Sequence, residues 1–149
     1  MVELASAVPP AILISRTRPR YWNCSFAGPI AICNLVGHSF GGSVLLKYLA
    51  EGKPATGIGG LFLVAVPWWG SEGWNYDEYA LPANFAAHLP QVPIFLYHST
   101  DDPHVPITHL ELYRRQLPQA TVRVIDGTEH SFVHGLPELL ADVREIASR

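Results

Sequence analysis

The sharpest chemical pattern in the sequence is G-x-S-x-G, which Gly37-His38-Ser39-Phe40-Gly41 forms directly after an apolar run. This pattern is typical of a nucleophile elbow, a tight strand-to-helix turn that presents a serine hydroxyl at the carboxyl edge of a sheet. Gly37 and Gly41 are expected there because bulkier neighbours would clash in so tight a turn. The backbone N–H of Phe40 would stabilise the oxyanion that forms when Ser39 attacks a carbonyl. The pattern therefore predicts Ser39 as a nucleophile.

An acid and a histidine follow two later apolar runs. Asp101 and Asp102 come after the third such run and His130 after the fourth, which gives the chain order Ser, Asp, His. If the runs are parallel strands, all three groups lie at one edge of the sheet. His130 would then act as the general base for Ser39, and the acid would fix the tautomer of His130. Spacing does not separate Asp101 from Asp102, and Asp102 is the preferred candidate.

Each of these residues also has a purely structural interpretation. Ser39 could cap a helix in a glycine-rich turn, and Asp102 could form an Asx turn or a helix cap. A lone histidine such as His130 is usually a surface or helix-capping residue. Three residues in the right order, each after a separate strand, are much harder to obtain by chance, and this favours the catalytic interpretation.

The sequence predicts neither a metal site nor a cofactor. His130 and His134 are four residues apart, but they lack the glutamate of the H-E-x-x-H zinc motif. His98 and His104 have poor spacing for metal ligands. The glycine-rich patterns that bind nucleotide phosphates, G-x-x-x-x-G-K-[ST] and G-x-G-x-x-G, do not occur in the sequence.

The elements that must position these residues follow from an alternation of apolar runs and helical patterns. Runs rich in Val, Ile and Leu predict four strands, at Ala31–Val36, Leu61–Val66, Val92–Tyr97 and Thr121–Ile125. Apolar residues at three- and four-residue spacing predict helices at Ser43–Glu51, Ile107–Leu117 and Leu136–Ala147. Gly52 is well placed to end the first helix. The alternation predicts an α/β fold with a mostly parallel β-sheet flanked by helices.

Two regions interrupt this alternation. The connection Pro67–Pro90 is long and rich in aromatic residues, and one helix is expected in it near Asp77–His88. A long aromatic connection is often a lid or a binding wall, but it can also simply cover the edge of a sheet. The first 30 residues contain one possible strand, Ala11–Ser15, and otherwise no clear period.

Composition limits the classes of function. Of 149 residues, 48% are apolar and only 15% are charged, so the chain can bury a core within a single domain, expected over residues 1–149. The net charge of −3 argues against a nucleic-acid partner, and no run approaches the roughly 18 apolar residues that span a membrane. The N-terminus lacks the order of a signal peptide, and Cys24 and Cys33 make no disulfide framework, which favours a cytoplasmic location.

The segments NLVGHSFGG, LFLVAVPWWG, STDDPHVP and DGTEHSF resemble the α/β-hydrolases, specifically the small serine hydrolases of the YdeN / retinoblastoma-binding-protein-nine type. The similarity runs from about residue 31 to the C-terminus. It implies a carboxylesterase-like hydrolase without a cofactor, in which Ser39 is the nucleophile, Asp102 the triad acid and His130 the base. In that family the position of the tryptophan pair belongs to a substrate-proximal loop, so Trp68 and Trp69 are expected to bind substrate. His38, inside the elbow motif, is a further expected substrate-binding residue.

The chain departs from that family before the elbow. Only 38 residues precede Ser39, and they contain no His-Gly pair, which in the family supplies the second oxyanion N–H. Residues 1–30 are therefore expected to be a divergent or truncated segment, giving an N-terminally reduced hydrolase fold. The loss of a strand there could expose a sheet edge and permit self-association.

Three hypotheses about function follow. The first is a serine hydrolase that cleaves a small ester or related acyl substrate through an acyl-enzyme. The second is a catalytically impaired hydrolase-fold protein that binds a ligand or a protein without turnover. The third is a partial domain that needs a partner chain. The natural substrate is not encoded in loop composition.

Overall fold

The computed structural model describes residues 33–51, 57–71 and 73–148. Within these residues, four strands alternate with helices. The strands are β1 (Cys33–His38), β2 (Ile58–Val64), β3 (Ile94–Ser99) and β4 (Thr121–Ile125). The helices are α1 (Ser39–Glu51), α2 (Phe85–His88), α3 (Thr108–Gln116) and α4 (Pro137–Ala147), with one 3-10 turn at Asp77–Tyr79.

The four strands form one parallel sheet in the order β1-β2-β3-β4. Parallel pairing places the carboxyl ends of all four strands at one edge, as the pairs His38 with Val64 and Ser99 with Ile125 show. The predicted α/β fold with a parallel sheet flanked by helices is confirmed. Ser39, Asp102 and His130 each follow a different strand at this shared edge.

The two faces of the sheet bury separate groups of apolar side chains. Leu61 and Leu63 belong to a core that also includes apolar residues of α1, α2 and α3. The alternate residues Phe62 and Val64 point to the opposite face, where they belong to a core with Leu139 of α4. This alternation is what β-strand geometry requires. Burial of both faces explains why β2 is apolar throughout rather than at every second residue.

The observed boundaries differ from the expected ones where local chemistry is unusual. β3 begins at Ile94 rather than Val92, because Pro93 has no N–H to donate to the sheet. α1 begins at Ser39 rather than Ser43, since the glycines of its first turn hide the helical pattern. The single helix expected near Asp77–His88 is instead a 3-10 turn and the short α2, separated by a segment that contains Pro82.

Several expectations concern residues that the structure does not describe. The possible strand Ala11–Ser15, the segment 1–30 and the helix end at Gly52 lie outside the described residues. Within the described residues, β1 forms one edge of the sheet and β4 forms the other. Among these residues, the helices are too short or too polar to cross a membrane.

Candidate active site

The turn between β1 and α1 has the geometry of a nucleophile elbow. Ser39 is the first residue of α1, immediately after the end of β1, and its φ is +50°. A residue with a Cβ atom is strained in this left-handed region, by about 1–2 kcal/mol. The turn directs the serine to the carboxyl edge of the sheet, and the N–H of Phe40 lies in the first helical turn, where N–H groups have no intrahelical acceptor.

Glycines make this turn possible, but only one of the two that the motif suggests has a steric role. A Cβ atom on Gly37 would lie 2.6 Å from the Cα of Gly42, so Gly37 is required by contact. A Cβ atom on Gly42 would lie 2.3 Å from the side chain of Val66. Gly41 has open space around it, with no neighbouring atom within 4 Å of an added Cβ. The expected steric role of Gly41 is therefore wrong, and Gly42 has that role.

Ser39, His130 and Asp102 form a continuous hydrogen-bonded chain. The Oγ of Ser39 lies 3.0 Å from Nε2 of His130, and Nδ1 of His130 lies 2.8 Å from Oδ2 of Asp102. A carboxylate can only accept, so the proton of a neutral His130 is on Nδ1. Nε2 is then an acceptor that faces the serine hydroxyl. The structure brings the three predicted residues together in the arrangement that a general base and its orienting acid require.

The structure distinguishes Asp102 from Asp101 as the partner of His130. Asp102 is buried, and its Oδ1 accepts hydrogen bonds from the N–H groups of His104 and Val105, at 2.8 and 2.9 Å. Asp101 is exposed, and its carboxylate lies 3.3 Å from the hydroxyl of Thr100. The Asx turn that was considered as an alternative role for Asp102 is present. It uses one oxygen of Asp102 and leaves the other for His130.

Hydrogen bonds keep the Asp102 carboxylate charged. Burial is the largest influence on its pKa and acts to raise it. The hydrogen bonds from Val105, His130 and His104 act together in the opposite direction, so the pKa of Asp102 lies below its ordinary value. An ionised acid beside His130 stabilises the imidazolium that forms when this histidine accepts a proton.

Comparison with known proteins gives a likeness in structure alone. No protein-family model matches the chain, and no curated protein is similar to it in sequence. A serine hydrolase involved in carbazole degradation, the CarC enzyme, has a TM-score of 0.59 and 15% identity, over 79% of this chain and 64% of that one. Esterase RhEst1 from Rhodococcus sp. ECU1013 has a TM-score of 0.56 and 18% identity, over 78% and 65%. MGS-M1, an α/β-hydrolase enzyme from a deep-sea metagenome library of the Medee basin, has a TM-score of 0.55 and 16% identity, over 77% and 53%.

The fold is that of the α/β-hydrolases. The chain spans between about half and two thirds of the length of these three structures. At 15–18% identity this likeness is one of fold, and the expected hydrolase fold is confirmed. The narrower resemblance to the YdeN / retinoblastoma-binding-protein-nine type stays a prediction.

Within this hydrolase fold, His38 lies beside the candidate base. Its Nε2 donates a hydrogen bond to the backbone carbonyl of His130, at 2.7 Å, and the two rings lie 5.1 Å apart. Partial burial is the largest influence on its pKa and lowers it, although the bond to the carbonyl acts to raise it. The structure therefore gives His38, expected to bind substrate, a contact with the loop of the base.

The two adjacent tryptophans have different surroundings. The ring of Trp69 lies edge-on to Phe40, the residue after the candidate nucleophile, with 6.2 Å between ring centroids. The ring of Trp68 packs instead against Phe85 and Tyr113, at the rim of the core on the α1–α3 face. Of the two, Trp69 is thus the one that contacts the neighbour of Ser39.

Two buried histidines support the site and were missed by sequence reasoning. Nε2 of His98 donates to the carbonyl of Val105 at 2.7 Å, which holds the turn around Asp102. Nδ1 of His109 accepts from the N–H of Trp68 at 2.8 Å, which ties α3 to the aromatic connection. Burial lowers the pKa of both histidines. Neither contact can be predicted from the sequence, because each partner is a backbone group and belongs to no repeating pattern of residue types.

Metal ligation gains no support from the described residues. Among them, no group of three or more His, Cys, Asp or Glu side chains is arranged to hold an ion. His134, four residues after His130, is exposed in the same loop.

Proposed function

We propose that the protein is a serine hydrolase that cleaves a small ester or a related acyl substrate. The observation that carries this proposal is the hydrogen-bonded chain from Ser39 through His130 to Asp102, located at a strained elbow. The names of two similar structures, a serine hydrolase and an esterase, agree with it. No cofactor is needed for this chemistry.

The reaction proceeds through an acyl-enzyme. Ser39 Oγ attacks the ester carbonyl while Nε2 of His130 accepts its proton, and the charge of Asp102 stabilises the imidazolium. The N–H of Phe40 donates to the oxyanion of the tetrahedral intermediate. His130 then gives the proton to the departing alcohol. A water molecule, deprotonated by His130, then attacks the acyl group. The acid is released as His130 returns this proton to Oγ of Ser39, which restores both residues.

The aromatic cluster beside the nucleophile suits an apolar part of the substrate. Phe40 is 46% exposed, and its ring lies 4.8 Å from that of Tyr79 and 6.2 Å from that of Trp69. Exposed aromatic rings next to a reactive serine favour contact with an apolar group of a small molecule. Trp69 is the leading candidate for substrate contact, and Trp68 would act by supporting it.

Three further proposals concern the setting of the enzyme. A single domain over residues 1–149 and a cytoplasmic location agree with the composition, and self-association through β1 agrees with its place at one end of the sheet among the described residues. Size-exclusion chromatography of the purified chain tests the self-association, which predicts a mass above that of a monomer. The proposal of a lone small-molecule substrate, without nucleic acid or membrane, rests on the charge and hydropathy of the sequence.

A fluorophosphonate probe and a series of p-nitrophenyl esters test the activity. We expect the wild-type chain to be labelled and to hydrolyse short esters, and Ser39→Ala and His130→Ala to lose both properties. Ser43→Ala is the matched control, because Ser43 is a buried serine of the same helix whose hydroxyl has no hydrogen-bond partner among the described residues. We expect it to be labelled like the wild type.

The same experiment distinguishes the hydrolase from a binding protein without catalytic activity. A folded wild-type chain that is neither labelled nor active on any ester contradicts the hydrolase proposal and leaves a hydrolase-fold protein that binds a ligand or a partner without turnover. Ester hydrolysis that disappears in Ser39→Ala excludes that alternative.

A further inference from the structure

The loop that carries the candidate base is held at two consecutive carbonyl groups. The carbonyl of Glu129 accepts a hydrogen bond from the hydroxyl of Ser99, and the carbonyl of His130 accepts one from Nε2 of His38, at 2.7 Å. Ser99 is the last residue of β3 and is fully buried, and His38 is the last residue of β1. We call these two hydrogen bonds the carbonyl clamp.

The clamp acts where regular structure does not fix the backbone. β4 ends at Ile125 and α4 begins at Pro137, so His130 lies in an irregular segment between them. The beginning of this segment is held by the N–H of Asp101, which donates to the carbonyl of Gly127 at 3.0 Å. The clamp extends this attachment up to His130 itself, from two strands of the sheet.

The His38 end of the clamp has two chemical consequences. His38 directly precedes Ser39, so one strand end supports both the nucleophile and the backbone of the base. A carbonyl oxygen only accepts hydrogen bonds, so His38 must carry a proton on Nε2. This use of Nε2 leaves that nitrogen unable to bind a substrate while the clamp is closed.

We propose that His38 and Ser99 are positioning residues, which hold the backbone of His130 so that its ring reaches both Ser39 and Asp102. This inference rests on the proposed hydrolase function and deepens it. It also replaces the expected role of His38 in substrate binding. Displacement of a catalytic group by about 1 Å can lower a rate by about 10²-fold, so two hydrogen bonds on a loop backbone are sufficient to matter.

The test compares His38→Ala, His38→Gln and Ser99→Ala with the wild type in ester hydrolysis. We expect His38→Ala and Ser99→Ala to lower kcat by about 10- to 100-fold with little change in KM, because the substrate is still bound but the base is misplaced. The Nε2 of a glutamine can donate to the same carbonyl, so His38→Gln should recover most of the loss. His134→Gln, in the same loop and exposed, is the control and should match the wild type.

The double variant gives an independent check. Because both side chains hold one segment, the combined effect of His38→Ala and Ser99→Ala on kcat should be smaller than the product of the single effects. Unfolding midpoints of all variants show whether a loss comes from the site or from the fold. An increase in KM at constant kcat in His38→Ala overturns the proposal in favour of substrate binding, and His38→Gln no better than His38→Ala also overturns it.

A second measurement does not depend on turnover. The proton between Nδ1 of His130 and Asp102 should give a low-field proton resonance, which is assigned by its absence in Asp102→Asn. We expect this resonance to shift or broaden in His38→Ala and to be restored in His38→Gln. If the wild type has no Ser39-dependent activity, the hydrolase proposal fails while the clamp is still tested here. An unchanged resonance in His38→Ala would show that the clamp does not position His130.

Discussion

Two buried carboxylates, Asp102 beyond the carboxyl end of β3 and Asp142 in α4 against side chains of β3 and β4, serve different purposes. Asp102 accepts hydrogen bonds from His130 and from the N–H groups of His104 and Val105. Asp142, in α4, accepts two hydrogen bonds from the guanidinium of Arg123, at 2.8 and 3.1 Å, and one from the hydroxyl of Tyr97, at 2.8 Å. Each therefore has three hydrogen bonds to compensate its burial.

The partners decide what each carboxylate can do. Arg123 stays charged at every ordinary pH, and burial raises the pKa of the Tyr97 hydroxyl, so no proton moves around Asp142. The bond from Arg123 is the largest influence on the pKa of Asp142 and lowers it. His130, in contrast, has a second nitrogen that faces Ser39. A carboxylate paired with an imidazole can support proton transfer, whereas one paired with a guanidinium joins α4 to the sheet.

Asp102→Asn should have the largest effect, on activity. An amide N–H in place of Oδ2 forces the proton of His130 onto Nε2, which then cannot accept from Ser39. Loss of the acid of a Ser-His-Asp triad lowers kcat by about 10⁴-fold. The amide oxygen can still accept from the N–H groups of His104 and Val105, so the free energy of unfolding should change by less than about 1 kcal/mol. Ester hydrolysis and urea unfolding measure both quantities, and activity within tenfold of the wild type contradicts the proposed role.

Asp142→Ala should have the opposite effects, a large loss of stability and little change in activity. The buried hydroxyl of Tyr97 loses its acceptor and Arg123 loses its ion pair, so the free energy of unfolding should fall by about 2–4 kcal/mol. Because the hydrogen-bond partners of Asp142 are Tyr97 and Arg123 rather than the catalytic candidates, kcat per folded molecule should stay within about twofold. Urea unfolding, together with titration of active sites by the fluorophosphonate, measures these effects. A large fall in kcat with unchanged stability would remove the distinction between the two carboxylates.

The order of the catalytic candidates was predictable, because parallel strands bring their carboxyl ends to one edge. Chemically reactive residues after three apolar runs were therefore enough to select Ser39 and His130. The choice between Asp101 and Asp102 was not, since it depends on which carboxylate the turn at Val105 directs inward. Sequence spacing contains no information about that direction.

The other features that the sequence did not predict are contacts between side chains and partners that their position in the chain does not indicate. The bond from His38 to the carbonyl of His130 joins positions 92 residues apart, and a backbone acceptor leaves no trace in residue type. Trp68 and Trp69 are equivalent as neighbours in sequence, but only tertiary packing directs one to the core rim and the other to Phe40. Hydrophobic periodicity predicts elements and faces, and it does not predict individual partners.

Tyr97→Phe should have a smaller effect, confined to the Asp142 side. The phenylalanine retains the stacked packing of the ring against Phe95, while the hydrogen bond to Asp142 is lost. Arg123 still satisfies the carboxylate, so we expect a loss of about 1–2 kcal/mol in the free energy of unfolding and no change in kcat. In an Asp142→Ala background, Tyr97→Phe should lower the free energy of unfolding by clearly less, because the acceptor is already absent. Equal costs in both backgrounds would place the role of Tyr97 in packing.

The smallest expected effect is a dependence of stability on pH near neutrality, on the Asp102 side. Burial lowers the pKa of His98 below its ordinary value of 6.5, so between that value and the lowered one the unfolded chain binds a proton that the folded chain does not. Stability contributed in this way is complete above pH 6.5 and is lost as the pH falls, by at most about 0.7 kcal/mol between pH 7 and pH 6 for one histidine. His98→Gln can still donate to Val105 but cannot titrate, and it should reduce this slope; Arg123→Lys, beside Asp142, should not. Urea unfolding at pH 6 and 7 measures the slope, and an unchanged slope in His98→Gln would mean that the buried histidine beside Asp102 is not the titrating group.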